Sequence, residues 1–144
     1  MERPTHPNRP SNLEFVVLGR PQTAGSKRAF QAPNGKIRLA HDNPKTRSWM
    51  QEVRHAAAEA MGDRPMFTGP VRLRITFAFG RPKSHYRTGR NAHLLRQSAP
   101  EHHTQKPDLT KLIRALEDAL TGVVWADDAQ VCQFATMAKT WSAS

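Results

Sequence analysis

The chain has 144 residues, enough for one compact domain with a modest core. Its 22 Lys and Arg stand against 12 Asp and Glu, a formal net charge of +10, which argues for a polyanionic partner. No apolar run reaches the ~18 residues of a membrane span, no charged start with an apolar core marks a signal peptide, and a single cysteine excludes a disulfide framework and a Cys-rich zinc site. Nucleic acid in a cytoplasmic setting is therefore the leading expectation, ahead of a basic protein with no special partner.

Residues 1–12, MERPTHPNRPSN, carry three prolines and read as a flexible arm before a single domain over 13–144. LEFVVLG at 13–19 is a β-rich apolar run closed by Gly19, Arg20 and Pro21, which predicts a buried strand. A basic turn, TAGSKRAF, follows, and Asn34-Gly35 signals a hairpin. From Pro44, Trp49, Val53, Ala56, Ala57, Ala60 and Met61 recur at helical spacing until Gly62 and Asp63 end the helix. PVRLRITFAFG at 70–80 then alternates. Val71, Leu73, Ile75, Phe77 and Phe79 share one face, and Arg72, Arg74 and Thr76 share the other, a half-buried strand with a basic outer side.

Residues 81–105 show no period. They are rich in Arg, with Tyr86 and four histidines interleaved, and a loop of this composition can lie along a phosphate backbone with Tyr86 stacking on a base. A solvated surface loop is the equal alternative. For His102 and His103 a solvated loop is favoured over metal ligation, since neither shows helical His spacing.

The acidic residues concentrate where the chain becomes periodic again. Pro107 disfavours helix at Lys106. Leu109, Leu112, Ile113, Leu116, Ala119 and Leu120 then fall on one side at 100° per residue, which predicts an amphipathic helix over 108–121 with Gly122 as its cap. Asp108 stands where an N-cap would. Asp118 follows Arg114 by four residues, the spacing of a surface ion pair, and Glu117 lies near the edge of the polar face. Segments 123–125 and 131–137 read as strands around a 126–130 turn that carries Asp127 and Asp128. Cys132 reads as a small core residue.

The run K-P-D-L-x-K-L-x-R-A-x-x-D-A-L-T-G-V-x-W-x-D-D-A-Q-V over 106–131 resembles the signature of the RusA family of Holliday junction resolvases. The resemblance extends more loosely to Gly19-Arg20-Pro21 with Gly25-Ser26-Lys27-Arg28, and to Pro82-Lys83-Ser84-His85-Tyr86 of phage-type members. It implies a small α+β fold, a mixed sheet packed by two helices, working as a homodimer on four-way DNA junctions in a bacterial cell, with a phage or prophage origin. It also implies a Mg²⁺-dependent endonuclease, with Mn²⁺ as a substitute. On this resemblance Asp108, Asp127 and Asp128 are the catalytic and metal-holding carboxylates, with Asp128 favoured over Asp127 as the direct ligand. Arg114 is the catalytic cation, standing where the family usually has Lys, and Asp118 is a further metal candidate. The basic residues of the matching segments and the loop, Arg20, Lys27, Arg28, Lys83, Arg87, Arg90, Lys106 and Lys111, together with Tyr86, are the candidate DNA contacts.

The chemistry suits the pattern. Lys and Arg bind phosphate but cannot hold Mg²⁺, which takes carboxylate and water oxygens. A bound ion polarises the phosphoryl oxygen and helps deprotonate the attacking water. Thr110 stands where the family usually has a second Asp, and Lys111 replaces the common Asn. Thr offers only a neutral oxygen, so a junction-binding protein with weakened catalysis is the alternative. An RNA-binding phage protein is a third reading.

Overall fold

Two turn signals organise the first half of the chain. The computed structural model describes residues 12–24, 27–41 and 43–142, with the side chains of 27–30 and 37–41 left outside the description. Asn34 and Gly35 close an antiparallel hairpin of β1 (Lys27–Gln31) and β2 (Ile37–His41), in register from Lys27↔His41 to Gln31↔Ile37. Gly35 sits at φ 81°, a left-handed conformation that only a residue without Cβ adopts cheaply. Asn43 then caps α1 (Pro44–Met61), its Oδ1 accepting from the Lys45 N–H at 2.9 Å. Pro44 occupies the first helical position, where no N–H is needed. Trp49, Met50, Val53, Ala57 and Met61 form the buried stripe of α1.

The central strand β3 (Val71–Phe79) alternates as its sequence predicts. Phe77 and Phe79 are buried, Val71, Leu73 and Ile75 are half-buried, and Arg72, Arg74, Thr76 and Ala78 are exposed. After the 81–105 loop comes α2 (Leu109–Leu120), which lays Leu112, Ala115, Leu116, Ala119 and Leu120 into the core against α1. The chain returns in β4 (Val131–Trp141), parallel to β3 from Val71↔Val131 to Phe79↔Trp141, with register shifts after Val71 and Leu73. Parallel strands need a long crossover, and the loop with α2 supplies it.

The class is α+β, with two α-helices among the described residues. Four expectations change. The single mixed sheet is instead two separate two-stranded sheets, β1-β2 and β3-β4. Residues 13–18 form no strand. Leu13, Phe15 and Val17 pack against the core while Val16 and Leu18 are 81% and 84% exposed, so the alternation survives without a partner ladder among the described residues. No hairpin joins 123–125 to 131–137. Val123 and Val124 both donate to the Leu120 carbonyl at 3.0 Å, and Gly122 donates to the Trp125 carbonyl at 2.7 Å, which folds this segment into a turn. Trp125, 1% exposed, holds it by donating Nε1–H to Thr121 Oγ1 at 3.0 Å. Cys132 is exposed on β4 rather than in the core. The N-terminal arm lies outside the described residues apart from Asn12. Among the described residues no helix is long and apolar enough to cross a membrane.

Candidate functional site

Asp108 occupies the N-cap position of α2 but makes no capping hydrogen bond. Its Oδ2 lies 3.7 Å from Lys111 Nζ, both side chains more than half exposed, a contact worth at most about 1 kcal/mol. The capping role expected of Asp108 is therefore absent, and its carboxylate faces solvent. The backbone leading to it is held firmly. Lys139 on β4 donates from Nζ to the carbonyls of Gln105 at 2.5 Å and Pro107 at 2.9 Å. The Ala24 N–H donates to the Lys111 carbonyl at 3.2 Å, and Thr46 Oγ1 donates to the Thr23 carbonyl at 3.0 Å. These bonds tie the segment following Gly19-Arg20-Pro21 to the first turns of both helices. Arg20 lies over the Phe79 ring, 5.4 Å from its centroid. Lys106 is exposed beside Asp108. Lys27 and Arg28 open β1, and the positions of their side chains fall outside the described residues.

The Asp127-Asp128 turn is built around Gln130. Asp127 accepts from the Ala129 N–H at 2.9 Å, and Gln130 Oε1 accepts from the N–H groups of Ala126 and Asp127 at 3.0 and 3.1 Å, the reciprocal arrangement of a capping box. Gln130 Nε2 donates to the carbonyls of Phe67 at 2.7 Å and Gly69 at 3.1 Å, anchoring the turn to the strand entry. One Asp127 oxygen is thus spent on structure. Asp128 is exposed, and its side chain makes no hydrogen bond or ion pair among the described residues. It lies close enough to the half-buried Glu117 to matter. Burial, then the charges of Asp128 and Asp118, push the Glu117 carboxyl above its usual range. The Arg114–Asp118 ion pair expected from spacing does not form among the described residues, and Arg114 and Thr110 are both exposed.

The 81–105 segment is more ordered than its composition suggests. Short 3₁₀ turns at Lys83–His85 and Gly89–Asn91 and the bonds Arg87 N–H to Leu94 O and Arg96 N–H to His85 O, each 2.8 Å, give it internal structure. Lys83, Arg87 and Arg90 are exposed, and Tyr86 is half-buried. His85 and His103 are both 7% exposed, and the solvated state expected for His103 is corrected. His103 stacks on Trp141 with centroids 4.0 Å apart and tilts against Phe79, while His85 meets Trp141 edge-on. Burial, aided by Lys139 and Arg20, pushes the His103 imidazole below its ordinary 6.5. Below that pH the unfolded chain takes up a proton that the folded one resists, so this contribution is intact above about pH 6.5 and is lost as pH falls. Thermal unfolding midpoints at pH 8 and pH 5.5 should drop further for the wild type than for His103→Phe. Equal drops would contradict the assignment.

Residues 19–144 match the family described as Endodeoxyribonuclease RusA. The chain belongs to the RusA family. Family membership makes it a nuclease of the Holliday junction resolvase type, directed at branched DNA in recombination. YqaN of Bacillus subtilis (strain 168), an uncharacterised protein, is 28% identical over 122 residues, covering 83% of this chain and 81% of its own. No solved structure matches.

Set beside a RusA-type reaction, the acidic residues divide. All are hard oxygen donors, the chemistry Mg²⁺ requires, and the charges of Asp128 and Asp118 are each felt at Glu117. The donor set fits a divalent ion. The described residues nevertheless contain no ready group of three or more His, Cys, Asp or Glu placed to hold one. Asp108 is nine residues before Glu117, about 13 Å along the axis of α2. Sequence reasoning missed three residues here. The sequence places Glu117 only near the edge of the polar face, and it assigns Gln130 and Lys139 no role. The Asp127-x-x-Gln130 spacing is a capping-box signal that could have revealed Gln130. Nothing local marks Lys139, because its partners lie over 30 residues away.

Proposed function

We propose that this chain cuts four-way DNA junctions by hydrolysing paired phosphodiesters with Mg²⁺, or Mn²⁺ in its place, as a homodimer in a bacterial cytoplasm, with a phage or prophage origin. The observation that carries the reading is Asp128. Its carboxylate is exposed, unengaged among the described residues and near enough to Glu117 to raise that carboxyl, on a chain of net charge +10.

Asp128, Asp118 and the second oxygen of Asp127 are the residues that would hold an ion near Glu117, and Asp108, about 13 Å away along α2, would hold one only at its own end of the helix; a bound ion would supply Lewis-acid polarisation of the phosphate. The chain's own side chains do the rest. Arg20, Lys27, Arg28, Lys106 and Lys111 would hold the DNA backbone. Lys83, Arg87 and Arg90, with Tyr86, extend that grip along the loop. Each such contact makes binding more salt-sensitive. Arg114, one helical turn from both Thr110 and Asp118, places fixed positive charge where the transition state gains negative charge. It cannot serve as the acid at neutral pH, so the leaving oxygen takes its proton from water. A two-fold dimer presents two such sites to a junction of matching symmetry.

A second reading, junction binding with weakened cleavage, is favoured by Thr110 and by the lack of a ready three-carboxylate group among the described residues. Thr110→Asp separates the two. The first turn of α2 contains no acidic residue, so the new carboxylate should stabilise the helix by about 0.5 kcal/mol. It should also lower the Mg²⁺ concentration needed for half-maximal nicking severalfold. If wild type binds junctions without nicking and Thr110→Asp nicks, the second reading holds. If both nick alike, Thr110 is a neutral replacement.

A further inference from the structure

Lys139 is out of place for a strand that lines a core. The inward positions of β4 here are Met137, Lys139 and Trp141, paired in register with Ile75, Phe77 and Phe79. Lys139 is half-buried, next to His103, whose ring is packed between Phe79 and Trp141. Removing an ammonium group from water is costly unless its donors are satisfied. No carboxylate within salt-bridge distance is found for it among the described residues. Its Nζ is spent on two backbone carbonyls, Gln105 at 2.5 Å and Pro107 at 2.9 Å. Those carbonyls bracket Lys106, and the second belongs to the residue immediately before Asp108.

We infer that Lys139 is a positioning residue that clamps the 105–107 backbone and so fixes where the Asp108 carboxylate stands. The inference rests on the proposed role of Asp108. The need for such a clamp is visible at the aspartate itself. Asp108 has no capping bond and only a weak contact to Lys111, so nothing in its own side chain fixes it. Its position is inherited from the backbone, and Lys139 holds that backbone from outside the helix at Gln105 and Pro107. The His103–Trp141 stack completes the clamp by seating the preceding residues on the same strand. A direct phosphate contact by Lys139 fits less well, because two of its three donors already point into the protein.

The test compares Lys139→Met, which keeps the aliphatic stem, with Lys139→Arg, which keeps donors. Single-turnover nicking of a labelled four-way junction is measured at saturating protein, junction Kd at fixed salt, and amide hydrogen exchange over residues 102–112. Lys139→Met should nick at least about 10-fold more slowly with Kd changed less than about 3-fold, and exchange over 102–112 should speed at least about 10-fold. Lys139→Arg should recover most of both. A Kd loss that matches the rate loss would make Lys139 a DNA contact and overturn the inference. Unchanged exchange in Lys139→Met would overturn it as well. If wild type itself does not nick, the nuclease reading fails alone, and the exchange arm still decides whether the clamp exists.

Discussion

Asp128→Asn is expected to slow junction nicking by about 100-fold or more while leaving junction affinity within a few-fold of wild type. A neutral amide keeps the size of the carboxylate but loses its charge, and replacing a group that orients a catalytic ion costs 10- to 100-fold even when it acts from behind a ligand. Folding should not suffer. The Asp128 side chain makes no hydrogen bond among the described residues, and its charge raises the Glu117 carboxyl, so removing that charge relieves repulsion. The unfolding midpoint should stay level or rise slightly. Asp127→Ala should behave in the opposite way. It removes the acceptor for the Ala129 N–H, costs about 1 kcal/mol of stability, and slows nicking less than Asp128→Asn does. Single-turnover rates and denaturant midpoints on the two variants read this split. Equal rate losses, or a destabilised Asp128→Asn, would contradict it.

Gln130→Ala should damage both properties at once. Its amide uses both ends, donating to the carbonyls of Phe67 and Gly69 and accepting from the N–H groups of Ala126 and Asp127. Each bond contributes a net ~0.5–1.5 kcal/mol, so their joint loss should lower stability by about 2–4 kcal/mol. The turn would then no longer hold Asp128 beside α2, and nicking should fall at least about 10-fold at a temperature where the variant is still folded. Urea unfolding followed by nicking in the cold checks both. Stability within about 0.5 kcal/mol of wild type would mean that backbone contacts alone shape the turn.

Local signals carried much of the fold. The apolar spacing of α2, the Pro44 start and Gly62 stop of α1, the Asn34-Gly35 hairpin and the alternation of β3 are written in short windows, and the structure contains each of them. What failed depended on distant partners. An apolar run such as 13–18 becomes a strand only if another strand offers a ladder. Segment 123–125 is β-rich, yet the Trp125 to Thr121 bond closes it into a turn. The parallel pairing of β4 with β3 joins residues about 60 apart in sequence, which no local pattern reveals. The site divides in the same way. Asp108, Asp127 and Asp128 stood out by motif. The crowding of Glu117 by Asp128, the burial of His103 on Trp141 and the reach of Lys139 to Pro107 arise only from the folded arrangement.

The most direct test of the central claim is nicking of a labelled four-way junction by purified wild-type protein, with and without Mg²⁺. The account predicts paired nicks, placed symmetrically on opposing strands, that appear only with the ion. Tight junction binding without nicks, in either Mg²⁺ or Mn²⁺, would contradict it and leave a chain that recognises branched DNA without cutting it.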